Sequence, residues 1–118
     1  MFTLPKESQP YWYPVVIELN DNEGKKKKFE FDAQFERLDD DERSDFLYRP
    51  EGDDRPLPND AQICERVFKG WRKVNDEEGA QLEVNDSNRQ ALLKVEGIKK
   101  AIAKSWLKSI GIEGRAKN

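Results

Sequence analysis

The chain has 118 residues, of which 36% are hydrophobic and 38% charged, with a formal net charge of −3. That length allows one domain with one modest core, and there is no histidine and only one cysteine, Cys64. An internal disulfide, the Ser-His-Asp and Cys-His nucleophile arrangements and the usual zinc sites are therefore excluded.

No apolar run is long enough to cross a bilayer. The start, Met1-Phe2-Thr3-Leu4-Pro5-Lys6-Glu7, lacks the basic and apolar regions of a signal peptide. The expectation is a soluble cytoplasmic protein, a single domain over residues 1–118, with no cofactor, no metal and no enzymatic activity. Charge is unevenly spread. Residues 29–86 carry 18 acidic and 8 basic side chains, whereas residues 87–118 carry 2 acidic and 8 basic. Such a division steers a charged partner or favours head-to-tail self-association, so a homo-oligomer is one expectation; two solvated surfaces explain it equally well.

Residues 1–11 read as a loosely attached arm. Residues 12–19, Trp-Tyr-Pro-Val-Val-Ile-Glu-Leu, are aromatic and β-branched and predict a strand. Pro14 cannot donate to a ladder, so this strand belongs at an edge. Asn20-Asp21-Asn22-Glu23-Gly24 is a turn by composition. In residues 26–37, Phe29, Phe31, Ala33 and Phe35 alternate with Glu30, Asp32, Gln34 and Glu36, which predicts a half-buried partner strand. The two make an antiparallel β-hairpin.

Asp39-Asp40-Asp41-Glu42 suits the positive pole of a short helix over about 40–48. Residues 50–58 hold three prolines and Gly52 and predict a mobile loop. Asn59, with Gln62 three residues on, predicts a cap. It opens a helix whose apolar stripe is Ile63, Cys64, Val67, Phe68 and Trp71. Asn75 to Gly79 is a turn, and residues 81–84 suit a short extended piece. Ser87 and Gln90 predict a capping box before Ala91, Leu92 and Leu93. A final helix places Ile98, Ala101, Ile102, Ser105, Trp106 and Ile110 on one face and ends at Gly111. Residues 112–118 read as a frayed end. The fold class is α+β: an N-terminal antiparallel β-hairpin, a small sheet, followed by three to four α-helices.

Few side chains carry chemistry. Lys25-Lys26-Lys27-Lys28 has the composition of a nucleic-acid patch, but acidic residues follow at once, and a solvated hairpin strand explains it better. The acidic cluster 39–45 lacks EF-hand spacing. Cys64 lies on an apolar stripe with no base to activate it. Of the tryptophans, Trp71 and Trp106 suit a core, and Trp106 with Leu107 near the basic end is the better candidate to reach a partner.

The run Phe68-Lys69-Gly70-Trp71-Arg72-Lys73-Val74-Asn75-Asp76-Glu77-Glu78-Gly79, continuing through Leu82 to the capped Ala91-Leu92-Leu93 segment, resembles small bacteriophage and prophage tail assembly chaperones. The Val-Val-Ile-Glu-Leu segment, Phe29 to Leu38 and the helix from Ile98 to Leu107 are similar to them as well, so the resemblance covers most of residues 15–110. Val95-Glu96-Gly97 departs from it, since such proteins often carry a proline there, and the 50–58 loop is longer and richer in proline.

The resemblance implies a protein of the infected or lysogenic bacterial cell, usually absent from the finished virion. It would hold the tape-measure protein soluble and bring tail-tube protein to it, with no membrane and no nucleic acid as partner. Trp106, Leu107 and Ile110 are the candidate partner-binding residues, by packing against helical apolar stripes. Two other readings stand beside it: a structural minor tail or head–tail connector protein, and a small nucleic-acid-binding regulator.

Overall fold

The structure is a computed structural model and describes residues 1–112; of the frayed end expected at 112–118, all but Ile112 lies outside the described residues. The elements are β1 (Tyr11–Asn20), β2 (Lys26–Phe35), α1 (Asp40–Leu47), α2 (Asp60–Val67), β3 (Phe68–Arg72), α3 (Asp86–Leu93) and α4 (Ile98–Ser109). The architecture is α+β, with the predicted N-terminal hairpin, four helices and a three-stranded antiparallel sheet ordered β1-β2-β3.

The hairpin register runs from Asn20↔Lys26 to Tyr11↔Phe35. Its turn is built by Asp21. The Asp21 amide donates to Lys25 O at 2.8 Å, Gly24 N donates back to Asp21 O, and the Asp21 carboxylate accepts from the amides of Glu23 and Lys25. The segment Asp76 to Ala80 repeats this pattern bond for bond: Asp76 N to Ala80 O, Gly79 N to Asp76 O, and Asp76 Oδ1 accepting from Glu78 and Ala80. Both turns need a left-handed residue at the fourth position, and glycine supplies it, Gly24 with φ 80° and Gly79 with φ 83°. The second turn joins Val74 to Leu82 through one backbone bond and an isolated Asn75↔Gln81 bridge, so of the extended piece expected at 81–84 only its first two residues pair.

Two capping boxes fix the starts of α1 and α2. Asp39 and Glu42 exchange side-chain and backbone bonds, as do Asn59 and Gln62. At α3 the cap sits earlier than predicted: Asn85, not Ser87, accepts from Asn88 N at 2.8 Å. The loop 50–58 is gathered around Arg49, whose guanidinium donates to the carbonyls of Arg55 and Pro56. The α4 C-terminus closes with Gly111 N to Lys108 O and Ile112 N to Leu107 O, the two bonds of a Schellman motif.

One expectation is overturned. The apolar stripe at 63–71 is not a single helix; α2 stops at Val67, and Phe68 turns directly into β3, which pairs with β2. A register shift between Gln34 and Phe35 leaves one extra residue on β3. Phe68 and Trp71 therefore both reach the buried side although they are three apart, the spacing that imitates a helix face.

The core lies between the sheet's inner face and the helices. It combines Val15, Ile17, Phe31, Ala33 and Phe35 from the hairpin, Ile63, Cys64 and Val67 from α2, Phe68 and Trp71 from β3, and Ile98, Ile102, Ala103, Trp106 and Leu107 from α4. Helix α4 runs antiparallel to β1: Ile17 lies under Gly97 at one end, and Tyr11 bonds Ser109 at the other.

Candidate functional site

Where β1 begins, α4 ends and α1 begins, these elements enclose a cleft of about 430 Å³. Leu38, Trp106 and Ile110 supply its apolar wall; Tyr11, Tyr13 and Ser109 supply hydroxyls; Arg37 and Arg43 bring positive charge. The hydroxyls are ordered. Ser109 Oγ donates to Trp106 O at 2.6 Å, so its single proton is used, and the Tyr11 hydroxyl donates to Ser109 Oγ at 2.7 Å. The Arg37 guanidinium lies 4.8 Å from the Tyr11 ring centroid while its Nε donates to Gln9 O at 3.1 Å. Among the described residues Arg37 has no carboxylate partner, and Arg43 has only the long 3.4 Å contact to the exposed Asp40. Two guanidiniums with donors to spare beside an apolar wall suit a carboxylate next to an apolar side chain.

The candidate partner-binding residues separate. Ile110 is half-buried and lines this cleft. Trp106 is 1% exposed; it lends one edge to the cleft and otherwise packs into the core, with Phe46 edge-on at 6.0 Å. Leu107 is 4% exposed and takes no part in the cleft. An exposed surface of Trp106 and Leu107 is thus corrected. Helix α4 is held against both β1 and α2, so its buried arc is wide enough to take in Ala103 and Leu107 as well as the Ile98, Ile102, Trp106 stripe. Sequence reasoning missed Tyr11, Tyr13, Arg37 and Arg43. The tyrosines' period-two spacing was a signal; the meeting of the arginines with α4 had none.

A second, more open hollow of about 580 Å³ lies between α1 and α2, lined by Phe46, Gln62, Glu65 and Arg66 among others. Beside it Glu36 holds Arg66 at 2.8 Å and Lys69 at 3.4 Å. The Arg66 hydrogen bond keeps the Glu36 carboxyl below its ordinary range against the opposing effect of burial.

The sheet's outer face carries a third feature. Trp12 is 38% exposed, and the Arg72 guanidinium sits 4.4 Å from its ring centroid. Arg72 Nε also donates to Asp32 Oδ2 at 2.8 Å, and Lys73 reaches the same oxygen at 3.3 Å. Asp32 is nevertheless only 7% exposed. The Arg72 bond holds its carboxyl below the usual range, desolvation opposes this, and Lys73 adds to the lowering. Lys73 adopts φ 69°, a left-handed conformation that costs a lysine about 1–2 kcal/mol. Pro14, Val16 and Val84 extend this exposed face.

The remaining sequence candidates fall outside these places. Cys64 is buried, its thiol pushed up to about 11 by desolvation, and it donates to Lys99 O at 3.6 Å. Lys26, Lys27 and Lys28 stand exposed on the hairpin, Lys28 opposite Glu18. Asp39, from the acidic cluster, is spent on capping α1. Among the described residues, no three or more Cys, Asp or Glu side chains gather as a metal site, and no helix is long and apolar enough to cross a membrane. The chain matches no protein-family model, no curated protein and no solved structure.

Proposed function

We propose that this protein binds other proteins without catalysis, as a phage tail assembly chaperone that holds a tape-measure protein soluble and brings tail-tube protein to it. The observation that carries the reading is the cleft between β1, α1 and α4. Its apolar wall of Leu38, Trp106 and Ile110 fits one apolar side chain of an amphipathic helix, and Arg37 and Arg43 fit a carboxylate one turn away. A tape measure awaiting assembly presents such helical stripes. The resemblance of most of residues 15–110 to tail assembly chaperones supports the choice of partner, and the apolar and cationic lining of the cleft supports an amphipathic helix as its occupant.

Co-expression with the tape-measure protein of the same genomic neighbourhood tests the proposal. The tape measure should remain soluble and co-purify only when this protein is present. Ile110→Glu, at the half-buried lip of the cleft, should abolish co-purification while the variant itself stays folded. A tape measure that remains insoluble and unbound overturns the chaperone role. Recovery of the chain in stoichiometric amount from purified particles would assign it to the virion instead.

A further inference from the structure

We infer that the N-terminal arm folds over the cleft between β1, α1 and α4 as a tethered occupant, with Leu4 on the apolar wall and Glu7 on Arg43, and so competes with a partner helix for the same place. Closure rests on the cleft of the chaperone reading but not on its partner, and it is measured on the isolated chain.

The arm is already fastened at the rim. Ser8 Oγ donates to Arg37 O at 3.1 Å, and Arg37 Nε donates to Gln9 O at 3.1 Å. Arg37 itself lines the cleft. The hairpin register accounts for these bonds. Tyr11 pairs with Phe35, and the same antiparallel count sets Gln9 beside Arg37. Two residues beyond β1 the arm therefore still follows the chain that leads into α1. Leu38, part of the apolar wall, comes next on that chain, and Asp39 then caps α1. Ahead of this tether the arm stands open, with Phe2 83% and Leu4 80% exposed. The four steps from Ser8 back to Leu4 span at most about 13–14 Å, so the wall lies within Leu4's reach.

The chemistry of the arm matches the lining. The cleft suits an apolar side chain with a carboxylate nearby, and the arm carries that pair three residues apart, Leu4 and Glu7. Leu38 and Ile110 are both half-buried, so a leucine set between them removes apolar surface from water on both sides. Arg43 has only the 3.4 Å contact to Asp40. Glu7 offers it a charge-assisted hydrogen bond of better geometry. Lys6, the next residue, then faces Asp40 and Asp41 in the first turn of α1, so Asp40 exchanges one cation for another. The tether makes closure an intramolecular event. A short flexible link holds the arm near the cleft at an effective concentration on the order of millimolar, enough to populate a contact that would be weak between separate molecules. A partner helix must displace the arm to enter.

Nuclear Overhauser measurements on the isolated full chain test the closure. The Leu4 methyls should show cross-peaks to the Ile110 methyls and to the Trp106 ring, and dilution should not weaken them. Glu7→Lys should reduce these cross-peaks severalfold with the urea midpoint unchanged, whereas Thr3→Ala should leave them as they are. With the tape-measure protein present, Leu4→Ser should lower the apparent dissociation constant roughly tenfold, the release expected if about nine-tenths of the clefts are closed. Leu4 methyls at unstructured shifts, with no cross-peak to Ile110 or Trp106, overturn the inference. So do cross-peaks that vanish on dilution, which would place the arm in the cleft of a second copy, and so does a dissociation constant that Leu4→Ser leaves unchanged. A tape measure that fails to bind while the cross-peaks are present removes the chaperone reading and leaves the closure standing.

Discussion

The two faces of the sheet treat neighbouring valines in opposite ways. Val15 is 0% exposed beneath α4, and Val16, one residue on, is 51% exposed. Inward residues of β1 and β2 meet α2 and α4 and form the continuous core; outward residues include the Trp12, Arg72 and Asp32 group and border the Val74–Leu82 turn. Stability is thus concentrated on one side, leaving the other side free to change without endangering the fold.

Substitutions can break or sharpen that contrast. The largest effect is expected on the inner side. Trp106→Ala removes a buried indole that helps join α4 to α1 and should cost about 3–5 kcal/mol, read as a lower urea midpoint. A midpoint that barely moved would mean that the inner face is not where stability resides. Arg89→Ala should cost about 1–3 kcal/mol, because Arg89 is the α3 side chain that donates to Cys64 O and Phe68 O where α2 passes into β3. If those carbonyls find water instead, the loss will shrink towards zero.

Asp32 blurs the contrast, since it is an outward residue that is buried. Its folded-state pKa lies below the ordinary 3.8, chiefly through the Arg72 hydrogen bond. Its ionised form is favoured more in the folded chain than in the unfolded one. The resulting stabilisation is present above the ordinary carboxylate value and is lost as the pH falls from there through the lower folded value. Thermal midpoints measured from pH 6 down to pH 2 should therefore fall less steeply in Asp32→Asn than in the parent chain. Parallel curves would show that the ion pair contributes no pH dependence. The smallest effect belongs to the outer face: Val16→Ser should change the stability of the monomer by no more than about 0.5 kcal/mol, by the same urea measurement.

The hairpin was legible because period two is unambiguous when Phe29, Phe31, Ala33 and Phe35 alternate with acids and amides. The cap at Asn59 was legible because it needs only four residues of sequence, whereas Asp39 was read only as helix-start charge although the structure makes it a cap. Phe68 and Trp71 were misread because a bulged strand and a helix both set residues three apart on one face. Gly70 between them was the discordant sign, since glycine costs a helix interior about 1 kcal/mol. In the sheet its missing side chain leaves room for Gln34 and Val84, whose atoms would lie 3.2 and 3.7 Å from a Cβ there. Part of the candidate site was legible too. Ile110 and Trp106 sit at the cleft, but how deeply α4 would be buried depends on having β1 and α2 on two sides of it, which no local pattern encodes. The placing of Arg37 and Arg43 beside α4 depends on where the chain turns after β2, a long-range outcome.

The hydroxyl bond between Tyr11 and Ser109 spans 98 positions of the chain, and it carries a consequence for synthesis. At roughly 5–20 residues per second, the hairpin is complete some 4–15 s before the helix that covers it has been made. A lone hairpin is marginal in water, so during that interval Val15, Ile17 and Phe31 face solvent or whatever else binds them. The last helix is the piece that covers β1, and a chain cut short before Ile98 would leave the β1 side of the sheet bare.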